Sequence, residues 1–380
     1  MRVVFAAIPA YGHLYPLMPL ALACAEAGHD VVVATGEPFL ERLPLPTWPS
    51  HPVENGIDWA FAETARRHPE LEGYEVAIAM FSDVTAGMVA ERLLTGLPGL
   101  APDLVVFEVM NSGAGIAADI LGIPAVAFSI GLWGAVPAVI HGAAVRYQSD
   151  LWARQGRTPP ERPVLARALV EPTPPSLRRT GDLPDDQVLS IRSVAYSESV
   201  GVVPGWLAAP RSRPRVYVTL GTVSFGAVDV LRRAVTDLAS LDVDVLVAVG
   251  PDGDPAVLGP VGERVHVETF VSQAEVLPLV DVVVHHGGTG TVLGTLAAGL
   301  PQLLLPQGAD QFYNASLLPE VGAGRALRND EQQPGAIAAV VAAMLESGSE
   351  REVACRAAAE IAALPAPADL VPELVRLAGA

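Results

Sequence analysis

The chain has 380 residues and a formal net charge of −18, from 42 acidic and 24 basic side chains. Such an excess of negative charge argues against a nucleic-acid partner, because a phosphate backbone demands a basic face. Hydrophobic residues make up 51% and charged residues 17%, which excludes a disordered chain and allows two globular domains.

The sequence begins with a pattern of strand, helix and strand. A strand is predicted over Arg2 to Ile8, a helix over Pro16 to Ala27, and a second strand over Asp30 to Thr35. Proline suits the start of that helix and Gly28 suits its end. The unit predicts a parallel, doubly wound sheet, which binds its ligands at the carboxyl ends of the strands.

The first half continues in the same alternation. Helical spacing over 75–94 precedes a buried strand over 103–107 that ends at Glu108, and a helix over 115–121 precedes a strand over 125–129. Two proline-containing segments, 44–75 and 155–186, have few periodic positions and are predicted to be irregular.

The segment between Asp119 and Arg146 carries no formal charge and is long enough to cross a bilayer. Pro124 and Pro137 interrupt it, so we predict a strand, a loop and an apolar helix instead of a transmembrane helix. The uncharged part over 121–145, with Trp133, favours a pocket for an apolar, polyketide-like ligand.

The second half restarts the same architecture after a segment that resembles a linker. A strand over 215–220, a helix reaching Ser240 and a strand over 243–249 form another βαβ unit. Later strands are predicted to end at Val267, His285 and Leu305, and helices are predicted over 334–364 and 368–377. These elements predict a second Rossmann-like domain.

Neither cysteine has the spacing of a metal ligand set or of a disulfide framework, and the start of the sequence lacks the layout of a signal peptide. A reducing cytoplasm is therefore expected. Two acidic pairs imitate a DxD metal motif: Asp242 with Asp244, and Asp252 with Asp254. The first lies at a strand entry and the second in an Asp-Gly turn, so no metal site is predicted.

The strongest chemical signal is a β-branched run that stops at two histidines and two glycines before a helix. Gly287 and Gly288 allow close backbone approach, and the helix that follows leaves its first N–H groups unpaired. Such a terminus binds anions, above all phosphates. Hydroxyls of Thr289 and Thr291 and the ring N–H of His286 add donors, which predicts a diphosphate site without a lysine.

This string resembles the donor-sugar signature of the GT-B glycosyltransferase superfamily, in the branch that modifies bacterial natural products. The family pattern is HGGxGT, a helix, GxP, an apolar strand, a proline and DQ, matched here at 286–291, 299–301, 303–306 and 310–311. The opening GHxxP…GHxV at 12–31 resembles the start of the same family. The specific motifs lie at 12–31 and 270–311, although the order of elements matches along nearly the whole chain.

The resemblance implies a GT-B fold, an α/β fold with two Rossmann-like doubly wound domains facing a cleft. The N-terminal domain over 1–207 is expected to bind the acceptor, and the C-terminal domain over 214–364 the nucleotide sugar. A linker is expected over 208–213, and a last helix over 365–380 is expected to pack back on the N-terminal domain.

The resemblance also implies that His13 is the base that takes the proton from an acceptor hydroxyl. A neutral imidazole suits this task because its reference pKa lies near working pH. The family usually has an aspartate to orient this histidine, and this chain has Glu108 there. We predict Glu108 to be that partner, with a purely structural carboxylate as the alternative.

The donor-binding residues predicted from the motifs and their neighbouring loops are Gly12, Thr222, Ser224, Phe270, Val271, Gln273, His286, Gly287, Gly288, Thr289, Gly290, Thr291, Asp310 and Gln311. Thr222 and Ser224 have a nearly equal alternative as turn residues, Phe270 as a core residue, and Asp310 as a helix-start aspartate. Alternation along the strand points His285 away, so it is interpreted as structural. Tyr11 and Trp133 are predicted to contact the acceptor.

Gly294 departs from the family, since many relatives carry a glutamate there for the ribose hydroxyls. A donor that lacks the 2′-hydroxyl loses least from this change, so we expect a dTDP-sugar rather than a UDP-sugar. The predicted activity is an inverting, metal-independent hexosyltransferase in bacterial antibiotic biosynthesis, with no cofactor beyond the nucleotide sugar.

Two alternatives stay open from the sequence: a catalytically silent helper protein, and an epimerase or dehydrogenase on similar domains. The missing GxGxxG counts against a dehydrogenase. A homodimer also stays open. Neither the sugar, the aglycone nor the bonded acceptor atom (oxygen, nitrogen or carbon) follows from the sequence.

Overall fold

The computed structural model describes residues 1–132, 136–162, 164–178, 185–197, 203–221, 228–250 and 253–379. The chain divides into two compact units. The first comprises Met1–Thr173, Arg178–Arg192 and Leu364–Ala380, and the second comprises Pro174–Leu177 and Ser193–Ala363. The second unit thus begins before the predicted boundary at residue 207, because Leu207 is buried in that unit's core beside Tyr217.

The described residues of the first unit form a seven-stranded parallel sheet. Its strands are β1 (Arg2–Ala6), β2 (Asp30–Gly36), β3 (Thr47–His51), β4 (Leu104–Glu108), β5 (Ala125–Phe128), β6 (Ala168–Glu171) and β7 (Val188–Ser190). Their spatial order is β3-β2-β1-β4-β5-β6-β7. The order reverses between β1 and β4, which makes the carboxyl ends of these two strands the expected ligand crevice.

The helices around this sheet are α1 (Tyr11–Leu14), α2 (Met18–Glu26), α3 (Ile57–Arg67), α4 (Tyr74–Ala79), α5 (Thr85–Leu100), α6 (Ser112–Leu121), α7 (Val136–Tyr147) and α8 (Ser149–Arg154). A π-helical turn at Met80–Val84 joins α4 to α5. Both proline-containing segments predicted as irregular contain regular elements: α3 and β3 in the first, β6 in the second.

The described part of the second unit has a six-stranded parallel sheet. Its elements in chain order are β8 (Arg215–Thr219), α9 (Val228–Leu238), β9 (Asp244–Ala248), β10 (Val265–Glu268), α10 (Gln273–Val276), β11 (Val282–His285), α11 (Thr289–Ala297), β12 (Gln302–Leu304), α12 (Gln311–Glu320), β13 (Arg325–Ala326), α13 (Ala336–Ser347) and α14 (Ser349–Ala363). The order β10-β9-β8-β11-β12-β13 reverses between β8 and β11.

Alternation along the strands gives this second sheet two buried faces. Val216, Val282 and Ile337 belong to one hydrophobic cluster, and Tyr217 and Val283 belong to another. Side chains on alternate positions point to opposite faces, so helices cover both sides of the parallel sheet.

A last helix, α15 (Pro367–Gly379), belongs to the first unit. It packs on α2, and Leu370, Val371, Leu374 and Leu377 are buried. The side chain of Arg167 donates a hydrogen bond to the carbonyl of Leu377 at 2.8 Å. These contacts make residues 367–379 part of the first unit's core.

Among the described residues, no helix is both long enough and apolar enough to cross a membrane. The charge-free segment after Asp119 instead contains the end of α6, strand β5 and most of α7.

Candidate active site

His13 lies at the switch point of the first unit. It falls between the strand predicted over Arg2 to Ile8 and the helix predicted from Pro16, and the structure places it on the short helix α1 that follows β1. Because β1 pairs with β4, Ala6 lies opposite Phe107 and the ends of the two strands meet. The ring Nδ1 of His13 lies 3.1 Å from Oε1 of Glu108.

Glu108 is fully buried, whereas the His13 side chain is 22% exposed. The backbone N–H of Met110 donates to Oε2 of Glu108 at 2.7 Å, and that of Ile8 donates to Oε1 at 3.4 Å. Two backbone donors and one imidazole therefore fix the carboxylate. The longer glutamate side chain reaches the histidine ring from the position where the family usually has aspartate.

This contact also defines the chemistry available to the ring. A carboxylate beside Nδ1 accepts a hydrogen bond from the N–H at that nitrogen, which places the basic lone pair on Nε2. The same carboxylate stabilises the imidazolium that forms when Nε2 takes a proton. The pair has the geometry of a general base with its orienting group.

A second histidine near His13 was not predicted as part of this region. His51 ends β3 and is buried, and burial lowers its pKa to about 3, with smaller contributions from the charges of His13 and Arg92. His51 therefore stays neutral near pH 7. The sequence offered no signal for it, since its strand contains a proline and looks irregular.

Aromatic rings surround α1. The Tyr11 ring contacts those of Tyr15 and Phe39 edge to face, with centroids 5.1 and 5.0 Å apart, and Arg42 donates to the Tyr11 hydroxyl at 3.1 Å. The Phe81 ring centroid lies 6.0 Å from that of His13. The other predicted acceptor residue, Trp133, lies outside the described residues.

In the second unit, β11 turns through two glycines into α11. Gly287 has φ of +95°, a conformation that side chains other than glycine rarely adopt, and Gly288 is the N-cap of the nine-residue helix. This places the start of α11 at the switch point between β8 and β11, as an anion site requires.

The His286 ring occupies the space between two glycines. A Cβ atom on Gly288 would lie 2.4 Å from Nε2 of His286, and one on Gly221 would lie 2.6 Å from its Cε1. Burial lowers the pKa of His286 to about 4, although a hydrogen bond with the Thr219 backbone favours the charged form. Its Nδ1 is enclosed and has no partner among the described residues. His286 is thus a neutral ring packed between Gly221 and Gly288 at the turn into α11.

His285 has a structural environment. Its Nδ1 accepts from the N–H of Gly287 at 3.0 Å, and its Nε2 donates to Oε1 of Gln302 at 2.8 Å. Burial, with the nearby His286, lowers its pKa to about 3. The ring fixes the turn that leads into α11.

Asp310 caps α11 from across the site. Its Oδ2 accepts from the backbone N–H of Thr289 at 3.2 Å, from the Thr289 hydroxyl at 2.7 Å and from Nδ2 of Asn314 at 3.2 Å. Both Thr289 donors that were predicted to bind a phosphate are therefore directed to a carboxylate. Asn314 was not predicted, although it lies four residues after Asp310 on the same helix face.

Gln311 is buried and holds the loop before α12. Its Oε1 accepts from the backbone N–H groups of Gln307 at 2.7 Å and Gly308 at 3.0 Å. The amide oxygen is thus already used within the protein, and the amide NH₂ is the part that suits a sugar hydroxyl.

The three predicted donor residues in the segment after β10 have different environments. Phe270 is 45% exposed, whereas the Val271 side chain lies in the hydrophobic core beside Tyr217. The Gln273 side chain hydrogen-bonds the Tyr217 hydroxyl. Phe270 has the most exposed side chain of the three, and Val271 has only its backbone to offer a ligand.

The remaining predicted donor residues are two exposed glycines, one buried threonine and two residues outside the described ranges. Gly12 and Gly290 are exposed, and a Cβ atom on either would meet no atom within 4 Å. Thr291 is buried on α11. Thr222 and Ser224 lie outside the described residues.

The acidic pairs that imitate a DxD motif have structural contacts. Asp242 accepts from Arg213 at 2.6 Å and Arg264 at 2.7 Å, and Asp254 accepts from the backbone N–H of Ala256 at 2.8 Å. Asp252 lies outside the described residues. In the ranges that the structure describes, no group of three His, Cys, Asp or Glu side chains has an arrangement that could hold a metal ion.

The Asp310→Ala variant is expected to lose about 2 kcal/mol of unfolding free energy, because it leaves the first turn of α11 without its cap. Urea unfolding followed by circular dichroism measures the change. Asp229→Ala is the matched control, since Asp229 is an exposed first-turn aspartate whose side chain, among the described residues, forms an ion pair with Arg232. Its loss should be below about 1 kcal/mol. Equal losses in the two variants would contradict the capping role.

Family models match the chain in two successive parts. The family described as Erythromycin biosynthesis protein CIII-like matches with its N-terminal domain at residues 22–221 and its C-terminal domain at residues 232–377. L-demethylnoviosyl transferase from Streptomyces niveus is 33% identical, over 97% of this chain and 96% of its own.

Solved structures give the same result. The glycosyltransferase SnogD from Streptomyces nogalater superimposes with a TM-score of 0.80 at 27% identity, covering 100% of this chain and 99% of its own. The glycosyltransferase SsfS6 from Streptomyces sp. SF2575, solved with thymidine diphosphate, has a TM-score of 0.79 at 28% identity, covering 99% of both chains.

Two parallel-sheet Rossmann-like units with these matches define a GT-B glycosyltransferase of natural-product biosynthesis. Within that class, the chain belongs to the Erythromycin biosynthesis protein CIII-like family. It is therefore an enzyme that transfers a sugar from a nucleotide sugar. The family assignment sets aside the epimerase, dehydrogenase and silent-helper alternatives.

Proposed function

We propose that this protein transfers a deoxysugar, with inversion and without a metal ion, from a dTDP-sugar to a hydroxyl of an apolar, polyketide-like aglycone. The observation that carries the proposal is the 3.1 Å contact between Nδ1 of His13 and the buried Glu108 carboxylate at the switch point of the first sheet. This contact leaves Nε2 of a partly exposed histidine as a base for an acceptor hydroxyl.

The proposed reaction is a single displacement. Nε2 of His13 takes the proton of the acceptor hydroxyl while that oxygen forms a bond to the anomeric carbon. The bond from this carbon to the diphosphate oxygen breaks with its electron pair, and dTDP leaves with the charge. Attack opposite the leaving group inverts the anomeric centre, and Glu108 stabilises the imidazolium that results.

The negative charge that develops on the leaving diphosphate has to be stabilised, and we propose that the N-terminus of α11 stabilises it. The N–H of Thr289 donates to Asp310, so the later N–H groups of the first turn, with the neutral ring of His286 that follows β11, are proposed to face the diphosphate. Because these groups already stabilise the developing charge, we propose that no divalent ion takes part and that EDTA leaves activity unchanged. Asp310 and the amide of Gln311 are proposed to bond sugar hydroxyls.

Recognition of dTDP rests on Gly294 in α11. Glycine has no side chain, so this position presents no carboxylate to a ribose hydroxyl. A Cβ atom there would lie 3.6 Å from Leu277 Cδ1, in ordinary contact, so the space itself does not exclude a side chain. The relative SsfS6 was solved with thymidine diphosphate. Phe270, with its accessible ring, is proposed to stack on the nucleobase of the donor.

The direct test is isothermal titration of the full chain with dTDP, UDP and NADH, with EDTA present throughout. We expect dTDP to bind more tightly than UDP, because Gly294 offers no side chain to the 2′-hydroxyl, and NADH to give no signal, because the sequence has no GxGxxG turn. Equal or tighter binding of UDP would overturn the dTDP preference. Loss of dTDP binding in EDTA would overturn the metal-free scheme.

Other properties stay proposals. Cys24 and Cys355 are both free thiols, which supports a reducing cytoplasm as the place of reaction. We also propose that the acceptor atom is oxygen, since a histidine base matches the deprotonation of a hydroxyl. A homodimer is compatible with this scheme and is tested by sedimentation.

A further inference from the structure

The π-helical turn at Met80–Val84 lies beside the base. It interrupts an otherwise continuous helical stretch between α4 and α5, and such turns widen a helix and redirect its side chains, frequently at functional sites. Here the turn brings the Phe81 ring to 6.0 Å from the His13 ring, with 36° between the two planes. An aromatic ring is therefore placed beside the imidazole that is proposed as the base.

The turn is fixed by polar contacts on one side. Oδ2 of Asp83 lies 2.9 Å from Nε2 of His68, and the Gln148 amide donates to Oδ1 of Asp83 at 3.0 Å and to its backbone carbonyl at 2.8 Å. The Ser82 hydroxyl donates to the carbonyl of Ile140 at 3.1 Å. These contacts tie the turn to the end of α3 and to α7.

Apolar packing holds the other side. Met80 and Val84 are buried with Ala60, and the rings of Trp59 and Phe81 pack against this small cluster. The Ser112 hydroxyl at the start of α6 donates to the Phe81 carbonyl at 3.4 Å. The backbone of Phe81 is thus held between α3, α6 and α7, while its ring is only partly buried.

We infer that Phe81 determines acceptor specificity, by offering its ring to a planar aromatic acceptor whose phenolic hydroxyl meets His13. This inference rests on the proposed role of His13 as base. A hydroxyl on an aromatic ring lies in the ring plane, so a ring stacked on Phe81 directs its oxygen sideways, toward the neighbouring imidazole. A saturated ring gains only apolar contact at Phe81, whereas an aromatic ring gains the additional attraction between π-systems.

The chemistry of the base favours the same class. A phenolic hydroxyl has a pKa of about 10, as in tyrosine, and is far more acidic than an aliphatic alcohol. An imidazole therefore removes its proton against a smaller difference in pKa. The Tyr11 ring, which contacts Tyr15 and the buried Phe39 edge to face, adds a second aromatic side chain to the helix that carries His13.

The test compares two alcohols with the same ten-carbon, two-ring skeleton: 2-naphthol and decahydro-2-naphthol. Dissociation constants are measured by calorimetry on the full chain, without any donor. We expect the wild-type chain to prefer 2-naphthol, and Phe81→Leu to reduce this preference by about two- to tenfold. Leucine keeps an apolar side chain of similar size, so the change isolates the aromatic ring.

Phe61→Leu is the matched control, because Phe61 is an exposed phenylalanine on α3 of the same unit. It should leave the preference unchanged, and thermal unfolding should show that both variants are folded. An unchanged preference in Phe81→Leu, an equal change in Phe61→Leu, a wild-type preference for the saturated alcohol, or no binding of either alcohol would each overturn the inference.

The readout separates this inference from the proposed function. Ring preference is measured by binding alone, whereas the proposed function is measured by sugar transfer and by nucleotide affinity. An enzyme that uses another base would still give the expected change in Phe81→Leu. An enzyme that uses His13 on saturated acceptors would transfer sugar and fail the naphthol comparison.

Discussion

His13→Ala is expected to lower turnover by about 10²- to 10⁴-fold, the usual contribution of a positioned general base. The acceptor proton then has only water to receive it. The affinity for dTDP should stay within about twofold, because the residues proposed to bind the nucleotide lie in the second unit, around α11. Single-turnover transfer with a saturating dTDP-sugar, together with calorimetry, measures both quantities on the same preparation.

Glu108→Gln supplies the companion measurement. Glutamine keeps the length of the side chain but carries no charge to stabilise the imidazolium. Turnover should therefore fall, by less than in His13→Ala, and the double variant should be no slower than His13→Ala alone, because the two groups act as a unit. Full activity of His13→Ala would remove it as the base. Loss of both turnover and dTDP binding would indicate misfolding of that variant.

Gly288→Ala is expected to weaken dTDP binding by about tenfold or more, the result of forcing atoms into a filled space. The backbone of Gly288 has φ of −62° and ψ of 138°, which alanine adopts freely. The cost is therefore steric alone: the new methyl group would lie 2.4 Å from Nε2 of His286. The ring must leave its place between Gly221 and Gly288, and the donor site changes with it.

Two further variants locate the cause of that loss. Gly262→Ala is the control in the same unit, since a Cβ atom there meets nothing within 4 Å, and dTDP affinity should not change. In the His286→Ala background the clash is absent, so Gly288→Ala should then have almost no additional effect. Additive losses in the double variant would show that the two residues act independently, contrary to the packing described.

The first lesson about prediction concerns the strands. β-branched runs such as Val282–Val284 identify buried parallel strands because both faces are covered and the period-2 pattern disappears. The edge strand β3 was missed because Pro49 lies within it, and proline is tolerated only at a sheet edge, where no neighbour needs its N–H. Helix α1 was missed because four residues are too few to display helical periodicity.

The second lesson concerns the site. The proximity of His13 and Glu108 was predictable, because His13 follows β1, Glu108 ends β4, and a doubly wound sheet brings those strand ends together. The position of the His286 ring could not be predicted, because Gly221 lies 65 residues away in the sequence. Only the folded chain shows that the ring lies against Gly221. The Val271 side chain points into the core, and Asp310 caps α11. Residues of the predicted donor motifs therefore have different environments that the sequence does not distinguish.

The return of α15 to the first unit has a consequence for how the protein is made. The unit that contains His13 and Glu108 is interrupted in the sequence by nearly all of the second unit. While residues 193–363 are being synthesised, the surface of α2 that α15 covers is still open to water and to other chains. The second unit is contiguous apart from a four-residue piece, so it can complete its core first, although it is synthesised later. The first unit is then the last part of the protein to close, once Leu370 to Leu377 have emerged from the ribosome.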